Sequence, residues 1–290
     1  MAKLILVTGG AGFIGSSLCA RLVADGHRVI SIDNYFAGTK DAHVAGVDYR
    51  EGHTNDIADL VPETPDLICH LGEYSRVEKS LLEPATVWDL NKAGTFGVLE
   101  FWRAKGCKLL YAGSSTKFGD GGLGRDQSPY AWTKATNTEL VRNYGDWYGL
   151  SYAITYFYNV YGPGERAGAY GTLIEIFRQR QLAGEQLRVN APGTQKRNFT
   201  HIDDIVEGLV LVGESGVGDD FGLGDSRAYS ILEVAEMFGG EIVMGPEVAG
   251  NRMSADIDTS KTRLLGWTPT RALIDYIGKT PGAKTKPRRD

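Results

Sequence analysis

Short apolar runs alternate with longer stretches of helical periodicity along the first half of the chain. Six runs predict strands: Leu4 to Thr8, Arg28 to Asp33, Val47 to Arg50, Leu67 to Leu71, Lys108 to Ala112 and Tyr152 to Phe157. Amphipathic patterns separate most of these runs, and repeated βα units of this kind form parallel sheets. The pattern therefore predicts an α/β fold with a Rossmann-type, doubly wound parallel sheet.

The alternation weakens beyond Gly162-Pro163-Gly164, where shorter segments predict a smaller C-terminal lobe interleaved with the sheet. We expect a dinucleotide-binding domain over residues 1–165, with a return to its sheet near residues 198–228. Residues 166–197 and 229–278 then form a substrate-binding lobe. Residues 279–290, rich in Lys, Arg, Pro and Gly, are expected to be a disordered tail.

The first strand runs directly into a glycine-rich junction, Thr8-Gly9-Gly10-Ala11-Gly12-Phe13-Ile14-Gly15. Gly9 and Gly12 keep Cβ atoms away from a pyrophosphate, and Gly15 allows the following helix to pack closely on the sheet. The helix N-terminus offers unpaired N–H groups and a positive dipole end. The junction, including the backbone at Phe13 and Ile14, is therefore predicted to bind a dinucleotide.

An acidic residue, Asp33, ends the second strand about twenty residues further on, as the dinucleotide motif requires. Its carboxylate can accept hydrogen bonds from the adenosine ribose hydroxyls but would repel a 2′-phosphate. The next residues, from Asn34 to Gly38, include no Arg to hold such a phosphate. The sequence therefore predicts NAD rather than NADP as the cofactor.

Composition narrows the protein's partners. The 290 residues contain 31 Lys and Arg against 36 Asp and Glu, so the net charge of −5 argues against a nucleic-acid-binding surface. No apolar stretch has the length of a membrane span. The three cysteines, Cys19, Cys69 and Cys107, lie in or beside apolar segments, which favours buried thiols and a cytoplasmic location. The histidines show no metal-ligand spacing, so we expect no metal.

Candidate catalytic groups follow the fifth predicted strand. Ser114 comes just after that strand, and Tyr130 and Lys134 lie one turn apart at the start of a predicted helix over residues 130–148. A nearby ammonium favours the phenolate of a tyrosine, and a serine hydroxyl can bind a substrate oxygen as it loses its proton. These three residues predict a site that moves a proton and a hydride together. Tyr130 and Lys134 are also expected to contact the cofactor, Lys134 at the nicotinamide ribose.

The chain is identified as a member of the extended short-chain dehydrogenase/reductase superfamily, in the branch of NAD-dependent nucleotide-sugar epimerases and dehydratases. The segments that carry this resemblance are Thr8 to Gly15, Asp33-Asn34, Asp56-Ile57, His70 to Gly72, Asn91 with Gly94-Thr95, Ser114 to Gly119, Ser128 to Lys134, Asn159 to Pro163, Arg197 to Asp204 and Leu264 to Pro269. The resemblance implies a nucleotide-sugar substrate.

The resemblance also assigns roles to individual residues. It implies that Asp33 and Asn34 bind the adenosine ribose side, that Asp56 and Ile57 contact the adenine, and that Leu71 and Gly72 line the cofactor path. Asn159 is implied to hold the sugar nucleotide. Arg197 and Arg252 are implied to bind its diphosphate, a role that suits guanidinium geometry.

Two departures from the family pattern bear on the reaction. Dehydratases of this family carry an acidic pair after the catalytic Ser/Thr, and related decarboxylases keep a Glu there, whereas this chain has Ser115 and Thr116. Both hydroxyls are expected to contact the substrate, and neither is an acid that could drive elimination. Epimerisation, which returns the hydride to a ketone intermediate, needs no second acid and is therefore the leading prediction.

The second departure is that many members read His-Leu-Ala-Ala-Gln where this chain reads His70-Leu71-Gly72-Glu73-Tyr74, followed by Ser75-Arg76. A carboxylate and a guanidinium are thereby expected near the nicotinamide and the sugar. One interpretation is that Glu73 and Arg76 select the sugar's substituents. The other is that they form a local ion pair with each other or with Lys79. A dehydratase reading would further require Glu73 to supply the missing acid.

Three hypotheses for function remain open from the sequence. The first is a C4 epimerase with NAD recycled in each turnover, the second a 4,6-dehydratase or net oxidoreductase, and the third a non-catalytic NAD-binding sensor or scaffold. The resemblance also implies a homodimer built on helices at residues 85–105 and 130–148. Trp102, Trp132, Trp147 and Tyr148 supply large aromatic side chains for such an interface.

Overall fold

The computed structural model describes residues 1–168, 171–247 and 258–284, except for the side chains of residues 117 and 119–123. All six strands predicted from the apolar runs are present, with ends that differ by two residues or fewer. The elements of the first half are β1 (Leu4–Thr8), α1 (Phe13–Ala24), β2 (Arg28–Asp33), β3 (Val47–Glu51), α2 (Ile57–Leu60), β4 (Leu67–His70), α3 (Val77–Ser80), α4 (Pro84–Val87), α5 (Gly94–Lys105), β5 (Lys108–Ser114), α6 (Pro129–Tyr148) and β6 (Tyr152–Phe157).

The second half contains shorter elements. They are β7 (Val160–Tyr161), α7 (Leu173–Leu182), β8 (Leu187–Asn190), β9 (Lys196–Asn198), β10 (Thr200–His201), α8 (Ile202–Ser215), β11 (Gly218–Leu223), β12 (Ala228–Ser230), α9 (Ile231–Phe238), β13 (Ile242–Gly245), α10 (Ser260–Leu264) and α11 (Leu273–Ile277). Of these, β11 lies in the main sheet next to β6, whereas the other strands form three two-stranded sheets.

Seven parallel strands form the main sheet in the order β11-β6-β5-β4-β1-β2-β3. One face packs against α1 and α8 through side chains such as Leu18 and Leu209, and the other packs against α5 and α6 through Trp102 and Val141. The strand order reverses between β1 and β4, so a crevice opens at their carboxyl ends. This confirms the predicted Rossmann-type, doubly wound sheet.

A third apolar core lies outside the main sheet and is formed by α7, β8, α9 and α11. The end of the described chain joins this core: Ala283 packs against it, and the Lys284 N–H donates to the Met237 carbonyl at 3.0 Å. The last described residues thus pack against α9. Residues 285–290 lie outside the described residues.

The stretch predicted as one helix over residues 85–105 is interrupted by a π-helical turn, Trp88–Ala93, between α4 and α5. This wider turn accompanies buried hydrogen bonds of Asn91, which accepts from the Tyr74 N–H at 2.6 Å and donates to Thr133 Oγ1 at 3.0 Å. Trp102 is fully buried and donates to the Cys107 carbonyl at 2.8 Å. Trp102 therefore cannot contribute to the predicted dimer interface, because its side of α5 faces the sheet.

No helix in the described ranges combines the length and the apolar character that crossing a bilayer would require. Cys19 on α1 and Cys69 on β4 are buried in the apolar core on the α1 side of the sheet. Burial raises the pKa of Cys19 to about 12 and raises that of Cys69 further, so these thiols are protonated at neutral pH.

Candidate active site

The glycine junction between β1 and α1 is too tight for side chains. Gly9 has φ +76°, and a Cβ there would lie 2.9 Å from the Gly72 Cα; a Cβ at Gly15 would lie 2.0 Å from the Gly9 carbonyl oxygen. Gly12 precedes α1 and provides no side-chain cap, so the first N–H groups of the helix are left for an anion. The local structure fits the pyrophosphate of a dinucleotide.

Asp33, the last residue of β2, is fixed beside this junction. Its carboxylate accepts hydrogen bonds from the N–H groups of Ala11 at 2.9 Å and Tyr35 at 2.8 Å. Burial raises the pKa of Asp33, and the two N–H donors oppose that rise. Each oxygen keeps lone-pair capacity for a ribose hydroxyl.

A cavity of about 520 Å³ runs from the glycine junction along the carboxyl ends of the strands. Most of the predicted site residues line it. Those from the cofactor set are Gly9, Gly12, Phe13, Ile14, Gly15, Asp33, Asn34, Leu71 and Gly72; those from the catalytic and substrate sets are Ser114, Tyr130, Lys134, Glu73, Arg76, Ser115, Thr116, Asn159 and Arg197. The structure thus brings both sets together in one crevice.

The predicted adenine contacts, Asp56 and Ile57, do not line this cavity. A 3₁₀ turn over Thr54–Asp56 leads Ile57 into the core, where it is fully buried, and leaves Asp56 exposed. Gly52 and Thr54 line the cavity at this end instead. The adenine contacts of Asp56 and Ile57 therefore stay a prediction. Arg252 lies outside the described residues.

Ser114 and Tyr130 meet where β5 ends and α6 begins. Ser128 caps α6 by accepting from the Ala131 N–H at 3.1 Å, and Pro129 opens the helix, so Tyr130 lies in its first turn. The Tyr130 hydroxyl donates to Ser114 Oγ at 3.1 Å. Ser114 Oγ also lies 2.9 Å from Thr116 Oγ1, so three hydroxyls form one group in the cavity wall.

Lys134 lies one turn after Tyr130, but its ammonium bonds elsewhere. It donates to the carboxylate of Glu73, to the carbonyl of Ala112 and, at 3.1 Å, to the hydroxyl of Tyr111. A lysine has three N–H donors, so these acceptors use all of them. Among the described residues no hydrogen bond joins Lys134 to Tyr130, and any effect on the phenol acts through space.

Glu73 is the buried partner of this ammonium: the two side chains are 3% and 6% exposed. Its Oε1 accepts from Thr95 Oγ1 at 2.8 Å, Asn137 Nδ2 at 2.9 Å and Tyr111 Oη at 3.1 Å. Burial alone would raise the pKa of Glu73, but Lys134 and the other donors hold it below its ordinary value. Glu73 is therefore ionised.

This arrangement corrects one of the two sequence-based interpretations of Glu73, the local ion pair. Its ion-pair partner is Lys134, not Arg76 or Lys79, because the loop after β4 turns the carboxylate toward α6. Glu73 Oε1 accepts from three side-chain donors and Oε2 from Lys134, so the ionised carboxylate is a poor acid, whereas its contact with the sugar stays a prediction. The spacing of Glu73 and Lys134 in sequence, 61 residues, gave no sign of the contact.

A hydrogen-bond chain connects Glu73 to the cofactor end. Thr8 Oγ1 accepts from the N–H of Gly72 at 3.0 Å and lies 2.7 Å from His70 Nδ1, and His70 Nε2 lies 3.0 Å from Thr95 Oγ1. Thr95 donates to Glu73, so the consistent assignment places the imidazole proton on Nε2. Burial lowers the pKa of His70 to about 4, which keeps the ring neutral.

The remaining predicted substrate residues lie at the other end of the cavity. Asn159 has φ +35° and donates to the Asn198 carbonyl at 2.8 Å, which fixes it next to β9, the strand that carries Arg197. Arg76 precedes α3, and Glu165, in the loop after β7, attracts its guanidinium. Two cationic side chains from separate elements therefore line the part of the cavity beyond Tyr130.

The fold, the glycine junction and the Ser114, Tyr130 and Lys134 group define a dinucleotide-binding protein of the short-chain dehydrogenase/reductase type. The model of the NAD-dependent epimerase/dehydratase family matches residues 5–224. The chain therefore belongs to this family.

Characterised relatives act on nucleotide sugars by more than one reaction. The chain is 30% identical to UDP-glucuronic acid decarboxylase 1 of Xenopus tropicalis over 96% of its length and 71% of the relative's. It is 30% identical to UDP-glucose 4-epimerase of Mycolicibacterium smegmatis, over 95% of this chain and 96% of that one. The UDP-glucose 4-epimerase of Thermotoga maritima, solved with UDP-glucose, superposes with a TM-score of 0.88 at 27% identity, covering 96% and 97% of the two chains.

These findings confirm the predicted family, fold class and cofactor: the protein is an NAD-dependent member of a family of epimerases, dehydratases and decarboxylases.

Proposed function

We propose that the protein is a nucleotide-sugar epimerase that inverts C4 of a hexose through a 4-keto intermediate. The relatives divide between epimerases and decarboxylases, so the choice rests on the site. Arg197 and Asn159, which line the cavity, are proposed to bind the diphosphate and the sugar nucleotide. Arg76, Ser115 and Thr116 line the same cavity and are proposed to contact the sugar. Arg252, outside the described residues, is proposed as a second diphosphate ligand.

In the proposed reaction the Tyr130 oxygen accepts the proton of the sugar's 4-hydroxyl. Ser114, hydrogen-bonded to Tyr130, holds the same sugar oxygen while the proton leaves. NAD, when bound, supplies reversible acceptance of the C4 hydride. The keto sugar then turns over in the cavity, and Tyr130 returns the proton to the oxygen at the inverted centre.

One observation carries the choice of epimerisation. Hydroxyls occupy the positions beyond Ser114 at which eliminating or decarboxylating relatives carry acids: Thr116 Oγ1 lies 2.9 Å from Ser114 Oγ, and Ser115 is buried next to it. The nearby carboxylate of Glu73 is ionised and used by protein donors, so it supports no role as a replacement acid.

The test is product analysis on a panel of UDP-, GDP-, dTDP- and CDP-linked hexoses and hexuronic acids in D₂O. The proposal predicts a product of unchanged mass, no lasting NADH absorbance and no deuterium at C5. Loss of water with deuterium at C5 would show a dehydratase, and loss of carbon dioxide a decarboxylase. No reaction in the whole panel, with NAD bound, would favour the sensor or scaffold hypothesis.

We also propose that the protein is a cytoplasmic homodimer. Exposed aromatic side chains cluster along the π turn, α5 and α6: Trp88, Phe96, Trp132, Trp147 and Tyr148. The rings of Trp88 and Trp132 stack with centroids 6.0 Å apart. Paired α5 and α6 helices would bury this patch, since a monomer rarely exposes one so large.

Light scattering tests the dimer. We expect the mass of two chains at micromolar concentration and of one chain for Trp132→Lys, whereas Leu264→Lys, at an exposed apolar residue on α10, keeps the dimer. A monomeric wild type would contradict the proposal.

A further inference from the structure

We propose that Glu73 is a positioning residue: its carboxylate neutralises the Lys134 ammonium and so sets the pH at which the Tyr130 phenol ionises. The inference rests on the proposed function in one respect, that Tyr130 is the proton acceptor. Glu73 itself does not touch the reacting atoms in this proposal. Glu73 acts on the charge of Lys134, and the electric field of Lys134 acts on the Tyr130 phenol.

The geometry of the pair is the first argument. The ammonium contacts the Glu73 carboxylate directly, and both side chains are almost fully buried. The Glu73 carboxylate contacts the Lys134 ammonium directly in a poorly solvated site. Its negative charge therefore opposes the electric field that the ammonium alone would exert on the Tyr130 phenol, one helical turn away. Lys134 thus favours the phenolate less than an unpaired lysine would.

The second argument is that the rest of the site provides for the charge on Glu73. Thr95, Tyr111 and Asn137, from α5, β5 and α6, all donate to its Oε1. Leaving such donors unpaired inside a protein is costly, so the cluster is built around an anion. A local surface ion pair would not require three elements to converge on one oxygen.

Other titratable groups face the pair from every neighbouring element. His70 on β4 is neutral, and burial together with Glu73 raises the pKa of Tyr111 on β5 far above its ordinary value, so this phenol is neutral too. Lys92 in the π turn donates to Asn137 Oδ1 at 2.8 Å, and Arg76 before α3 acts on Tyr130 from the cavity side. Neither cation contacts Lys134 or the Glu73 carboxylate through a hydrogen bond among the described residues.

The experiment measures the ionisation of Tyr130 directly. The 14 tyrosines are labelled with ¹³C at Cζ, the Tyr130 signal is assigned with Tyr130→Phe, and its titration midpoint is followed by NMR in the NAD-saturated protein. In Glu73→Gln, which removes only the charge, the midpoint should fall by about one unit or more. Glu73→Asp should restore a midpoint near that of the wild type.

A matched control makes the same Glu-to-Gln change on α6 itself. The Glu139 side chain is 44% exposed and paired with Arg125, so solvent screens its charge. Glu139→Gln should therefore leave the titration midpoint of Tyr130 unchanged. A midpoint in Glu73→Gln that is unchanged or higher than in the wild type would overturn the proposal.

If Glu73→Gln does not fold, the same question is asked in a Lys134→Met background. There the Tyr130 midpoint should rise, because the carboxylate has no counter-charge, and adding Glu73→Gln should lower it again. Equal midpoints in these two variants would overturn the proposal. The titration needs no substrate, so a wrong assignment of the reaction would leave its result intact.

Discussion

The two ends of the cavity are built in different ways. At the cofactor end the chain binds with backbone: the glycines between β1 and α1 and the first N–H groups of α1 come from one continuous segment, with Asp33 added from the next strand. At the reaction end side chains from the loop after β4, from β5, from α5 and from α6 converge on a buried ion pair. The first end needs the absence of side chains, and the second needs two opposite charges held among several neutral hydrogen-bonding side chains.

The consequence is a different sensitivity to substitution. A backbone site tolerates changes that keep the glycines, and it selects ligands by shape and by one acid. A buried network depends on every partner, because removing one leaves an uncompensated charge or donor. Substitutions at the two ends test this contrast.

Tyr130→Phe should separate the two ends most sharply. Removing the phenol oxygen deletes the proton acceptor while the ring still packs, so turnover should fall by roughly 100- to 10,000-fold. NAD binding should change little, as calorimetry would show. Tyr152→Phe, a half-buried tyrosine at the start of β6, is the control and should keep full turnover. Near-normal turnover in Tyr130→Phe would disprove the mechanism.

The contrast also explains what the sequence could and could not predict. Short segments of the sequence contain the glycine junction, Asp33 and the Tyr130–Lys134 spacing. Each motif and the strand or helix that carries it could therefore be predicted from the sequence alone. The partner of Glu73 could not be, because it is 61 residues away and the fold alone brings β4 and α6 together. The adenine contacts of Asp56 and Ile57 stay a prediction, because the 3₁₀ turn Thr54–Asp56 decides which groups of this segment face the cavity and a sequence motif does not specify that turn.

Lys134→Met should damage stability as well as catalysis. It leaves the Glu73 anion buried without its counter-ion, and breaking such a pair costs about 3–5 kcal/mol of unfolding free energy. The double variant with Glu73→Gln should be more stable than Lys134→Met alone. Lys40→Met, which breaks the exposed pair with Glu51, is the control and should change stability by less than about 1 kcal/mol. Denaturant unfolding of the four proteins measures this, and a double variant no more stable than the single one would contradict the pairing.

Asp33→Ala should act only at the cofactor end. It removes the charge that would repel a 2′-phosphate and the acceptor for ribose hydroxyls, so the preference for NAD over NADP should narrow by roughly 10- to 100-fold. Calorimetry with both cofactors measures the ratio. The matched change Asp25→Ala, at an exposed carboxylate paired with Arg21 after α1, should leave it unchanged. Equal or tighter NADP binding by the wild type would refute the assignment.

Glu165, in the loop after β7, gives the smallest effect and a pH dependence. Its Oε1 accepts from the Thr172 N–H at 2.9 Å and from the Thr172 hydroxyl, while Oε2 is buried with no hydrogen-bond partner among the described residues. Burial raises the pKa of Glu165 to about 7 against an ordinary 4.5, although Thr172 opposes the rise. The folded protein therefore holds a proton that the unfolded chain releases between these two values.

Because the folded state binds more protons in that window, the contribution of Glu165 to stability is complete below about pH 4.5 and is lost as the pH rises through about 7. Glu165→Gln stays neutral at every pH, so relative to this variant the wild type should lose about 1 to 2 kcal/mol between pH 5 and pH 8. Urea unfolding of both proteins at the two pH values measures the difference, and titrations shared by both cancel in it. If the unfolding free energies of the two proteins changed in parallel with pH, Glu165 would be ionised in the folded protein. The protein would then hold this buried carboxylate without the set of donors that surrounds Glu73.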